Sequence, residues 1–165
     1  MQWASEMRAE WLERTLAGLD SLAARRGRGA CLPAHLLTGI EGEEAACFYL
    51  LRKGYTVVAR RWSAGNQPGD LDLIAWQGPM LCFFEVKTRT ARDLNPAEAP
   101  VDLHKRNVLR RLASQYVRQL LPGSPAPQVR FDVISTYLEP GKPPEFMHFE
   151  SAFGWREPRR QEKTY

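Results

Sequence analysis

The sequence predicts an α/β domain, and three observations predict it. Two short apolar runs, Gly69–Trp76 and Leu81–Lys87, flank a four-residue stretch with Gly78 and Pro79, as a β-hairpin would. Apolar residues recur at helical spacing on both sides of that hairpin, at Ala46, Cys47, Leu50 and Leu51 before it and at Leu109, Leu112, Ala113 and Tyr116 after it. A further alternating run, Val129 to Tyr137, follows the second of these helices as a strand. One domain is expected, because 165 residues are enough for one sizeable core and no internal repeat is visible.

Taken in order, residues 2–24 read as an amphipathic helix, with Trp3, Met7, Leu16, Leu19 and Leu22 on one stripe. Arg25-Arg26-Gly27-Arg28-Gly29 breaks it, so residues 1–36 form an N-terminal helical extension. The next helix is expected to begin at Thr38, where Thr38-Gly39-Ile40-Glu41 has the form of a capping box, and to stop at Gly54. Glu43 lies on the line of that helix's apolar stripe. It is read either as a first-turn acid favoured by the helix dipole or as an acid kept among apolar neighbours for a purpose. Tyr55 to Arg61 is a strand and residues 63–68 a loop.

The hairpin fixes a register. If Gln77 to Met80 is the loop, Trp76 lies opposite Leu81 and Asp72 opposite Glu85. Alternation then puts Asp70, Asp72, Glu85 and Lys87 on one face and Leu71, Leu73, Phe84 and Val86 on the other. A slip of one residue would separate the two carboxylates. Beyond the hairpin, Asp102 is placed to cap a helix running to about Leu121. Leu109, Leu112, Ala113, Tyr116, Val117 and Leu120 make its core stripe, and Lys105, Arg106, Arg110, Arg111 and Arg118 make the rest basic. Phe146 to Phe149 is a last short strand, and residues 156–165 are a charged tail.

The formal net charge is +4 and the pI about 9.1, carried mostly by arginine, which is compatible with a nucleic-acid partner. The three cysteines, Cys31, Cys47 and Cys82, form no CxxC pair and no metal-ligand spacing with the histidines. Free thiols in a reducing compartment are expected. Glu6 and Glu10 interrupt any signal-peptide run, and no apolar stretch is long enough to span a membrane. A soluble, cytoplasmic protein is the expectation.

Asp72 and Glu85 side by side on neighbouring strands can hold one hard divalent cation, Mg²⁺ or Mn²⁺, with the Val86 carbonyl as a further ligand. Lys87 would stand beside it, placed to orient or deprotonate a water and to offset charge on a phosphate. Glu43 would complete the shell if its helix packs over the sheet. That set suits hydrolysis of a phosphodiester. The competing reading is a solvated ribbon face held by cross-strand ion pairs.

The order of these features resembles the PD-(D/E)XK nuclease superfamily. More closely, the chain resembles the YraN family (UPF0102), whose members are similar to archaeal Holliday-junction resolvases. The resemblance rests on Gly42-Glu43, Lys53-Gly54-Tyr55, Gly69 to Ile74, Phe84 to Arg89, Pro96, Glu98, Ala99, Lys105, Arg130 to Val133 and Ala152-Phe153. It implies a restriction-endonuclease-like core of residues 37–155, a mixed β-sheet flanked by helices. It places Glu43, Asp72, Glu85 and Lys87 at the active-site positions; Arg61, Arg89 and Lys105 are the expected nucleic-acid contacts. Three positions depart: Asp70 stands where the family usually has Glu, Arg61 where it usually has Asn, and an extra residue precedes Lys105.

Three functions compete. The first is a metal-dependent DNA endonuclease selective for branched or junction DNA, which would act as a homodimer on a two-fold junction. The second is a nucleic-acid-binding module of the same fold without catalysis. The third is a protein-interaction role with residues 2–24 as the docking element.

Overall fold

The computed structural model describes residues 33–65, 67–91, 101–120 and 126–156 of the chain. The helix expected over 2–24, Cys31, the Asn95-Pro96 loop and the tail beyond Arg156 lie outside the described residues. Helix α1 spans Ala34–Arg52 and is followed by strands β1 (Thr56–Trp62), β2 (Leu71–Gln77) and β3 (Met80–Arg89). Helix α2 (Leu103–Leu120) leads to β4 (Gln128–Tyr137) and β5 (Glu145–Phe153). The strands form one mixed sheet in the order β1-β2-β3-β4-β5. All neighbours are antiparallel except β3 and β4, which run parallel and are joined through α2. A parallel pair needs such a crossover, because no tight turn can return the chain to the same end of the sheet. The architecture is α/β, compatible with a restriction-endonuclease-like core.

One helix covers each face. Ala46, Cys47 and Leu50 of α1 pack on Leu73, Ala75, Phe84 and Val86. Leu109, Leu112 and Ala113 of α2 pack on Ile74, Leu81, Phe83, Phe131 and Val133. The expected hairpin register holds, with Trp76 opposite Leu81. The loop is shorter than expected. Gln77 pairs with Met80, leaving Gly78-Pro79 as the turn, and Gly78 takes the positive φ of 57° that a primed two-residue turn needs. Leu71 departs from its expected face and joins the α2-side cluster. Pairing of β2 with β3 stops at Leu73, so Leu71 is tied only to Trp62 of β1 and is released from the hairpin's pleat.

Helix α1 begins one turn before the expected start. Pro33 occupies the N-cap position, leaving Thr38 and Glu41 inside the helix rather than boxing its end. A proline with φ fixed near −60° costs nothing at a helix start, where the missing N–H has no partner to lose. The stop at Gly54 is as expected. Gly54 adopts φ 84°, its N–H donates to Leu51 O, and Tyr55 N–H donates to Leu50 O, the two bonds of a Schellman end. Asp102 caps α2 as expected, its Oδ1 accepting from Lys105 N–H at 2.9 Å. The stripe of α2 holds at Leu109, Leu112 and Ala113, extends back to Val108 and weakens toward the end of the helix. Val108 is buried, Tyr116 and Val117 are half-buried, and Leu120 is exposed. Strand β4 is buried on both faces from Phe131 to Tyr137 because it lies between two strands under two helices. Strand β5 is longer than the four residues expected and is irregular near Ser151, at φ 53°.

Candidate active site

The site forms where the hairpin opens. Antiparallel pairing ends at Leu73–Phe84, and the next pair along would be Asp72 and Glu85. There the Asp72 carboxylate replaces the backbone of β2. Its Oδ2 accepts the Val86 N–H at 2.6 Å, so β3 keeps its hydrogen bond while the strands part. Both acids are nearly buried, Asp72 at 8% and Glu85 at 4% exposure. They share the α2 side of the sheet with Lys87.

Glu85 is bracketed by two ammonium groups. Lys87 Nζ donates to Oε1 at 2.7 Å, and Lys105 Nζ lies 3.0 Å from Oε2. Lys105 sits in the first turn of α2, and the Asp102 cap on its own N–H holds that turn over β3. Oε2 is fully enclosed and, despite its ion pair with Lys105, accepts no aligned hydrogen bond. Burial and the neighbouring Glu85 charge push the Asp72 carboxyl up to about 7, against the Val86 N–H and Lys105, which lower it. Burial pulls the Lys105 ammonium down, but the negative charges of Glu85, Asp72 and Asp70 outweigh it and leave its pKa raised.

Glu43 does not join this group. Helix α1 packs on the opposite face of the sheet, and the half-buried Glu43 carboxylate pairs with Arg61 at 2.9 Å. Burial raises the Glu43 carboxyl, with Arg61 lowering it and Asp70 raising it further, and the Glu43 charge is felt at Asp72. Close approach of α1 brings Glu43 this near. A Cβ on Gly42 would fall 1.9 Å from Thr88 Oγ1, so only glycine admits β3 here. Arg61 adopts φ 47°, a left-handed conformation that asparagine tolerates better than arginine.

Of the expected nucleic-acid contacts, Arg61 is held by Glu43, Lys105 is drawn into the carboxylate centre, and Arg89 is half-buried at the end of β3. A cleft of about 610 Å³ opens between the first turns of α1 and this end of β3, lined by His35, Thr38, Glu43, Lys87 and Arg89 among others. Among the described residues no group of three or more Asp, Glu, His or Cys side chains is arranged to hold a metal. The groups that could hold one hard cation are Asp72, Glu85 and the Val86 carbonyl. Two buried carboxylates side by side and the unfilled acceptor on Oε2 support this.

Two arrangements escaped the sequence reading. The contact of Lys105 with Glu85 is one; its only signal was a lysine three residues after a capping acid. The other is a buried network on the α1 side. Asp132, with no exposure, accepts from Arg130, from the Ser151 N–H at 2.9 Å, and lies 2.9 Å from His148 Nε2. Arg130 also donates to Tyr55 Oη. The i, i+2 placement of Arg130 and Asp132 in an apolar strand was its visible sign.

The model of the uncharacterised protein family UPF0102 matches residues 42–136, more than half of the chain. The chain belongs to family UPF0102. A UPF0102 protein of Koribacter versatilis is 50% identical over 121 residues, covering 73% of this chain and 82% of that protein. One of Solibacter usitatus is 42% identical over 124 residues, covering 75% and 91%. One of Nocardia farcinica is 38% identical over 134 residues, covering 81% and 97%. The span matched by the UPF0102 model runs from Gly42, where α1 meets Thr88, to Thr136 of β4, and so takes in Glu43, Asp72, Glu85, Lys87 and Lys105. No helix among the described residues is long and apolar enough to cross a membrane.

Proposed function

We propose that this UPF0102 protein is a metal-dependent endonuclease that hydrolyses phosphodiester bonds in DNA, with branched or junction DNA as its substrate class. The observation that carries the reading is the pair of buried carboxylates, Asp72 and Glu85, at the open end of a hairpin with Lys87 beside them. Asp72, Glu85 and the Val86 carbonyl would hold Mg²⁺ or Mn²⁺. When bound, the ion supplies Lewis-acid polarisation of a phosphoryl oxygen and lowers the pKa of a bound water. Asp72 is pinned by the Val86 N–H, so its other oxygen keeps a fixed direction. Lys87, with 41% of its side chain exposed, reaches from Glu85 toward solvent, where a phosphate arrives. Its ammonium orients the attacking water and offsets negative charge on the phosphate as the bond breaks. Glu43 borders the cleft, its carboxylate paired with Arg61, and acts at longer range. A two-fold junction would require two copies of the chain.

The double neutralisation of Glu85 by Lys87 and Lys105 favours one second reading, a nucleic-acid-binding module of nuclease fold. Cleavage of a labelled panel separates the two: duplex, single strand, flap, fork and four-way junction, each with Mg²⁺ and with Mn²⁺. Metal-dependent cutting that disappears in both Glu85→Ala and Lys87→Ala is the expected result. Salt-sensitive binding without cutting, unchanged by Glu85→Ala, would instead identify the binding module.

A further inference from the structure

Among the described residues, Lys105 reaches the carboxylates from outside the hairpin. It comes from α2, across the sheet face, and its ammonium stops 3.0 Å from Oε2 of Glu85. That oxygen is enclosed and has no aligned hydrogen bond. We propose that Lys105 and the divalent ion are alternative counter-charges for Oε2 of Glu85. Binding the ion moves the Lys105 ammonium off Glu85 and toward a phosphate of the nucleic acid. This inference rests on the metal-dependent reading above.

Three observations carry it. A carboxylate oxygen that ligates Mg²⁺ lies about 2.1 Å from the ion, so an ammonium 3.0 Å from the same oxygen would crowd it at close range. Charge balance points the same way. With both carboxylates ionised, as ligation requires, Asp72 and Glu85 supply two negative charges, which Lys87 and Lys105 match. A divalent ion makes the buried centre doubly positive unless a lysine withdraws, which the low local dielectric penalises. The contact to give up is that of Lys105. Lys87 makes a hydrogen bond to Oε1 at 2.7 Å, whereas the Lys105 contact on Oε2 is unaligned. Lys105 also has a route outward, since 29% of its side chain is exposed and its stem is flexible. Lys105 is thus a positioning residue for the ion and a switchable phosphate contact, rather than a fixed part of the protein's nucleic-acid surface.

The experiment is a direct Mn²⁺ titration of the full chain, read by loss of the free-ion electron paramagnetic resonance signal. Wild type is compared with Lys105→Met and Glu85→Gln. The expected result is Mn²⁺ affinity on the order of tenfold higher or more in Lys105→Met, weaker affinity in Glu85→Gln, and a lower salt slope for DNA binding by Lys105→Met in the presence of the ion. A lysine that only braces the carboxylates would weaken ion binding when removed, and one that only repels the ion from a fixed position would leave the salt slope for DNA binding unchanged. Equal or weaker affinity in Lys105→Met, with Glu85→Gln still weakened, overturns the exchange and leaves the metal site standing. No Mn²⁺ binding by either wild type or Lys105→Met overturns both. Circular dichroism checks each fold, and Lys105→Gln, which keeps a donor for Oε2 without charge, carries the comparison if Lys105→Met does not fold.

Discussion

Asp72 holds its place by two opposed effects. The Val86 N–H wants a carboxylate, while burial and Glu85 want a neutral acid, and the result is a carboxyl near pH 7. The native state therefore keeps a proton that the unfolded chain has already released between the ordinary value of 3.8 and about 7. Stability must fall as pH rises through that window and be fully reduced above it. Lys105, shifted upward from 10.5, stabilises the fold throughout that window and adds no slope to it. Urea denaturation in chelator from pH 4 to 8 should show the decline. In Asp72→Asn the decline should flatten, with a gain at pH 8 on the order of a few kcal/mol and complete loss of cleavage. An unchanged pH profile would show that Asp72 is not the group responsible. At this scale the site was largely legible in the sequence, because a strand's period of two and a short loop fix which side chains share a face. The pairing of Lys105 with Glu85 was not, because no local rule says where the first turn of a helix lands on a sheet. Neither was the ion pair of Glu43 with Arg61, which depends on α1 packing on the other face.

Elements meet here through single small contacts. Gly42 lets α1 lie against β3 at Thr88, and the added Cβ of Gly42→Ala would meet Thr88 Oγ1, Cγ2 and Cβ at 1.9 to 2.7 Å. The helix would have to lift, at a cost of about 1–3 kcal/mol, carrying Glu43 away from Arg61. Adding Thr88→Ala removes two of the three offending atoms but leaves Cβ at 2.7 Å, so thermal melts should show part of the loss recovered and clear non-additivity. Simple addition of the two effects would place the helix contact elsewhere. The β4–β5 join depends on Asp132, which is fully buried and satisfies Arg130, His148 and the Ser151 N–H at once. Truncating Asp132→Ala leaves the Ser151 N–H without its acceptor and Arg130 with only Tyr55 and the exposed Glu150, and should cost about 1–3 kcal/mol in denaturant unfolding. A loss below 1 kcal/mol would mean that the network contributes little. Turn and helix-end chemistry announced Gly54, Gly78 and Asp102 in advance. The capping pattern at Thr38 misled because an equally good start, Pro33, lay one turn upstream. The extra length of β5 was hidden because its pairing depends on Asp132 reaching the Ser151 N–H, a contact between residues far apart in sequence.

The site is also part of what holds the whole molecule together. Asp72 lies on β2 and Glu85 on β3, and these strands supply side chains to the clusters under both α1 and α2. Losing their geometry means opening both cores, so the unfolded chain has no such site and an ion bound there should stabilise the fold. A ligand of that kind stabilises by an amount set by its concentration over its dissociation constant, about 2.7 kcal/mol at a hundredfold excess. The unfolding midpoint should therefore climb steadily with Mn²⁺ in wild type, without a plateau at one equivalent. In Glu85→Gln it should stay flat, because one carboxylate and one carbonyl make a poor site for a hard cation. An ion bound instead at exposed acids would leave the midpoint nearly unmoved in both proteins, because such acids also bind it in the unfolded chain. A rise of the same size in both proteins would place the ion away from the hairpin fork, and with it the proposed chemistry.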